Sequence, residues 1–156
     1  MAAQKPGDGQ RMEQQYSRLV EALQLVAADS EAQLNALPDG VDKPNEVALL
    51  YEEVFLLSDH FLRGGRSTPG QHAKLKEIED LFSRMDDRGP DLWTHRMMRV
   101  APEWENARVL ARETLGLLGE RVREPDPWWV TSKVYPVGIR GRVHWLLSAG
   151  RRRRRQ

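Results

Sequence analysis

Apolar residues recur at spacings of three and four along most of this chain, and prolines and glycines cut the pattern into segments. That combination restricts the fold to packed helices. Met12, Tyr16, Leu19, Leu23 and Val26 line one side of a first helix, with Leu34 and Leu37 as an extension that Pro38, Asp39 and Gly40 terminate. Beyond the loop closed by Lys43 and Pro44, the residues Val47, Leu50, Val54, Leu57 and Phe61 repeat the spacing. Leu49, Phe55 and Leu56 widen that stripe, which predicts the most buried helix of the domain.

Gly64 and Gly65 suit the C-terminal cap of the second helix, and Thr68 followed by Pro69 reads as N-cap and first-turn proline of a third. Leu75, Ile78, Phe82 and Met85 give the third helix its core side. Asp91 is the expected cap of the next helix, on which Trp93, Met97 and Val100 keep the spacing. Pro102 costs about 3 kcal/mol in a helix interior and disfavours helical geometry at Ala101, so a kink or break is expected there. Trp104, Ala107, Ala111, Leu115 and Leu118 carry the pattern onward, and Gly116 and Gly119 weaken its end.

Past Gly119, Pro125, Pro127 and Pro136 interrupt any helix. Residues 128–135 are rich in aromatic and β-branched side chains, and residues 143–147 form a second apolar run. A short hairpin or an irregular strap over the helices fits this segment. The organisation expected is a flexible leader (1–10), a helical domain (11–119) and a Pro- and Trp-rich basic arm (120–156). The fold class is all-α, an antiparallel bundle of four to five helices, because the loops between them are short. No internal repeat, heptad run or apolar stretch of membrane-spanning length occurs, and the leader lacks the hydrophobic run of a secretory signal. The expected compartment is the cytoplasm.

The chain has 156 residues and no cysteine, which removes disulfides, thiolate metal sites and cysteine nucleophiles. None of the four histidines, His60, His72, His95 and His144, follows a Glu at the spacing of a di-iron bundle, and the His-Glu-x-x-His zinc pattern is missing. Neither a nucleophile elbow nor a glycine-rich nucleotide loop appears. No catalytic residue, metal ligand or cofactor is therefore assigned. The loop from Gly64 through Arg66 to Gly70 is the nearest approach to an anion site, but helix caps explain the same residues.

Charge is divided unevenly. Residues 1–120 carry 21 Asp and Glu against 14 Lys and Arg, a net of −7, whereas residues 121–156 carry 2 against 10, a net of +8, which together return the +1 of the whole chain. On the acidic part, Glu46, Glu52, Glu53 and Asp59 follow one another along the second helix and mark a surface for a basic protein partner. On the basic part, Lys133, Arg140 and Arg142 lie among aromatics, and Arg151, Arg152, Arg153, Arg154 and Arg155 are consecutive. Guanidinium groups pair with phosphates at any accessible pH, so these eight residues form the alternative site, a nucleic-acid arm. Trp93 and Trp104 are expected in the core, and at least one of Trp128 and Trp129 is expected to pack onto the helices.

The stretch Val41, Asp42, Lys43, Pro44 through Leu57, then Leu92, Trp93 and Thr94, then Pro102, Glu103, Trp104, Glu105, Asn106, Ala107 and Arg108 carry a resemblance. Across residues 41–118 the chain resembles small all-helical bacterial proteins of the immunity or antitoxin type. The resemblance implies an acidic, non-catalytic protein that acts by covering its partner. A protein-binding module of immunity, antitoxin or adaptor type is the first functional expectation, and a nucleic-acid-associated protein acting through its arm is the second.

Overall fold

Tyr16, Leu19, Leu23 and Val26 do share the buried side of one helix, α1 (Asp8–Ala27), in the computed structural model, which describes residues 7–130. The helix opens at Asp8, so the end of the expected leader is helical, with a carboxylate at the positive end of the helix dipole. Every residue from Leu19 to Ala27 is buried. This stretch, rather than the second helix, is the most enclosed, because α1 packs against α3 (Lys43–Phe55) on one side and α7 (Pro102–Leu117) on another. A helix surrounded in this way cannot keep a polar face.

The described residues form seven α-helices and one 3₁₀ turn, with no strand. The expected four to five helices become seven because two of them divide. Ala28 adopts extended backbone and Asp29 caps a separate α2 (Ser30–Ala36), its carboxylate accepting from Ala32 N–H at 2.9 Å. The second helix breaks at Leu56 and Leu57 into α3 and α4 (Ser58–Arg63), where Leu57 N–H turns to the Val54 carbonyl three residues back. That tighter turn leaves Leu56 74% exposed and sends Phe61 inward, edge-on to Tyr16.

The caps follow the sequence more closely. Gly65 has φ +71°, and Arg66 N–H returns to the Phe61 carbonyl at 2.8 Å, closing α4. Thr68 and Gln71 form a reciprocal capping box at the start of α5 (Pro69–Asp87), whose Leu75, Ile78, Phe82 and Met85 are buried. Asp91 caps nothing. It lies in the 3₁₀ turn Pro90–Leu92, and Thr94 caps α6 (His95–Val100) by accepting from Met97 N–H at 3.1 Å. Met98 consequently faces the core, and Val100 is 63% exposed.

Ala101 is extended, so the break expected at Pro102 occurs and the proline begins α7. Trp104 is fully buried among Phe82 and Trp93, its indole N–H donating to the Leu92 carbonyl at 2.8 Å. α7 packs on both α1 and α5, and Gly119, at φ +75°, reverses the chain after it. Residues 121–127 then run without regular structure, and Trp129 and Val130 join the core while Trp128 does not. The described part of the arm is thus strap rather than strand. The rest of the expected hairpin lies outside the described residues.

Candidate functional site

Side chains on α1 hold the strap. Gln24, fully buried, donates to the Arg121 carbonyl at 2.7 Å and accepts from Arg123 N–H at 2.9 Å, so one amide reads both edges of an extended backbone. Glu21, also buried, accepts from the Arg123 guanidinium and from Asp126 N–H. The carboxylate holds the Arg123 guanidinium above its ordinary pKa. The Arg18 guanidinium sits 5.6 Å from the Trp128 ring centre and 5.9 Å from that of Trp129.

A second buried polar centre gathers around the C-terminal end of α1. Arg108, on the core side of α7, donates to the Ala28 carbonyl at 3.1 Å, to Gln33 at 3.1 Å and to the Met98 carbonyl, with Glu105 at 3.3 Å. Burial pushes the guanidinium pKa down, and Glu105 partly opposes the shift. Gln33 in turn donates to the Leu25 and Val26 carbonyls. These groups tie α1, α2, α6 and α7 together. Their hydrogen-bonding capacity goes to chain segments, which is the chemistry of a scaffold.

A serine, a histidine and an aspartate gather where α4 meets α5. Ser58 Oγ lies 3.4 Å from His72 Nε2, and Asp59 Oδ1 lies 3.0 Å from the same nitrogen. A hydrolytic relay needs its serine and carboxylate on opposite ring nitrogens, so this cluster holds two helices together and does not activate the hydroxyl. Among the described residues no group of three or more His, Asp and Glu stands at metal-binding geometry. The Gly64 to Gly70 loop is likewise committed: Thr68 and Gln71 cap α5, and Arg66 pairs with Glu13 at 2.8 Å while lying 3.6 Å from the Tyr16 ring centre.

The four acids expected to share a surface separate. Glu53 and Asp59 are exposed and Glu52 is half-buried, but Glu46 is buried and contributes no solvent-facing charge. Glu46 and Glu53 are seven residues apart and fall on the same side of α3, so helical period does not distinguish them. Position along the helix does: Glu46 lies in the first turn of α3, where the chain arrives from α2 and α2 packs against it. Asp59 is spent on His72. Lys133, Arg140, Arg142, Arg151, Arg152, Arg153, Arg154 and Arg155 lie outside the described residues.

Comparison with known proteins adds no relative. The chain matches no family model, no curated protein and no solved structure. Among the described residues no helix is long and apolar enough to cross a membrane.

Sequence reasoning missed Glu21, Gln24, Gln33 and Arg108. For Arg108 a signal existed, since positions 104, 108, 111 and 115 keep the core spacing and a guanidinium at such a place must find buried acceptors. Gln24 stands four residues after Val20 and one after Leu23, an amide inside an apolar stripe. Neither pattern names the acceptor, which comes from about 10 to about 100 residues away.

Proposed function

We propose that this chain is a non-enzymatic protein-binding module of immunity, antitoxin or adaptor type, acting in the cytoplasm, with its helices as an antiparallel bundle scaffold. It captures a basic protein partner on the acidic surface that includes Glu52 and Glu53. One observation carries the reading: residues 7–130 hold 23 Asp and Glu against 15 Lys and Arg, a net of −8, while the buried polar side chains serve the fold. A surface with a net excess of one sign steers an oppositely charged partner without needing a reactive group.

The double variant Glu52→Lys and Glu53→Lys tests it. Capture of a basic partner in a tagged pull-down weakens while circular dichroism shows the helices intact. Unchanged capture by a folded variant overturns the acidic-surface reading.

A second reading is a nucleic-acid-associated protein using Lys133, Arg140, Arg142, Arg151, Arg152, Arg153, Arg154 and Arg155. The observation favouring it is the 44% exposure of Trp128, an aromatic ring at the root of the arm with the Arg18 guanidinium 5.6 Å from its centre and Trp129 edge-on to it. Truncation after Gly150 then flattens the salt dependence of nucleic-acid binding, five phosphate contacts being worth a slope of about −4.5. Equal binding by the truncated chain excludes the arginine run.

A further inference from the structure

Residues 121–130 cross α1, and from residue 124 to 129 alternate side chains turn inward: Pro125, Pro127 and Trp129 are buried, whereas Glu124, Asp126 and Trp128 are exposed. Gln24 holds the backbone of this strap and Glu21 holds Arg123. The chain therefore does not leave the domain at the end of α7. Val130, the last described residue, is buried against the core. The 26 residues that follow contain eight Lys and Arg and no acid, a net of +8 against the −8 of residues 7–130.

Resting on the binding reading above, we propose that the Glu21 and Gln24 latch roots residues 131–156 on the body so that they act in cis as a ligand of its acidic surface. They compete there with the basic partner. Three observations converge on this occupant: its charge complements the body, its starting point is fixed on α1, and its length suffices. At about 3.3 Å per residue, 26 residues reach about 86 Å, and a domain of this size has a radius of gyration of about 14 Å. Every face is within range. A tether of this kind gives an effective concentration on the order of 1 mM, so an arm-to-body contact with a dissociation constant of about 100 µM raises the apparent Kd of a competitor about tenfold.

The probe is a fluorescein-labelled peptide of eight arginines, titrated with the full chain and followed by anisotropy at low salt. The variant R151Q/R152Q/R153Q/R154Q/R155Q binds it about tenfold tighter than the unaltered chain, and the gap closes as salt screens the charges. Glu21→Gln, which weakens the latch, shifts the affinity in the same direction by a smaller factor. Circular dichroism on each variant separates loss of fold from a change in binding. Equal affinity of the unaltered and arginine-depleted chains overturns competition in cis and leaves the acidic-surface reading standing. An absence of binding by every chain overturns both. Tighter binding by the arginine-depleted chain with no change in Glu21→Gln overturns the part assigned to the latch.

Discussion

The Arg108 guanidinium donates to the Gln33 side-chain oxygen at 3.1 Å, joining α7 to α2 across 75 residues of chain. The same guanidinium satisfies the Ala28 carbonyl, whose residue is extended between α1 and α2, and the Met98 carbonyl of α6. A helix end that is enclosed needs such a partner, because its last carbonyls have none within the helix.

Arg108→Ala leaves these acceptors buried without a donor and is expected to cost about 3 kcal/mol or more. Arg108→Lys recovers only part of this, since one ammonium cannot reproduce the planar fork that meets several acceptors at once. Urea denaturation followed by circular dichroism measures both. A loss below about 1 kcal/mol for the alanine variant removes Arg108 from its central place in the fold.

The latch makes a prediction of its own. Gln24→Leu keeps the volume on α1 but gives nothing to the Arg121 carbonyl or Arg123 N–H, so the strap lifts to hydrate them. Trypsin then cuts after Arg121 and Arg123 faster than in the unaltered chain, read by mass spectrometry of the fragments ending at those residues. Unchanged cleavage shows that Trp129 and Val130 hold the strap without the amide.

Tyr51 is fully enclosed, its hydroxyl donating to the Leu75 carbonyl at 2.6 Å. Burial, with Glu79 adding to it, pushes the phenol well above its usual value near 10. The unfolded chain loses this proton first, so the contribution is fully present below pH 10 and falls above it, by up to about 1.4 kcal/mol per pH unit. Tyr16 is raised also, chiefly by burial, and adds to the same trend. Denaturation midpoints measured from pH 8 to 11 stay level up to about pH 10 and fall beyond it. Tyr51→Phe blunts that fall at a neutral-pH cost of about 1 kcal/mol.

Capping provides a contrast between neighbours. Thr68→Ala and Thr94→Ala each remove a hydroxyl that accepts from a helix N–H, at a cost of about 1 kcal/mol each. Asp91→Ala removes no cap and stays within about 0.5 kcal/mol of the unaltered chain. Thermal or urea denaturation distinguishes them, and equal losses at Asp91 and Thr94 contradict the observed cap of α6.

The sequence by itself determined what depends on neighbours along the chain. The core sides of α1 and α5, the glycine closure at Gly65, the capping box at Thr68 and the break at Pro102 all follow from side-chain spacing, backbone sterics or a bond between residues three to five apart. Tertiary structure decided the rest. That Glu46 is buried and Glu53 exposed, that Leu56 and Val100 face outward, and that Glu21, Gln24, Gln33 and Arg108 bind distant backbone depends on which helices pack together. Helical period states the side on which a residue lies. It does not state what covers that side, because burial and a buried hydrogen bond require a partner that only the folded chain brings within reach.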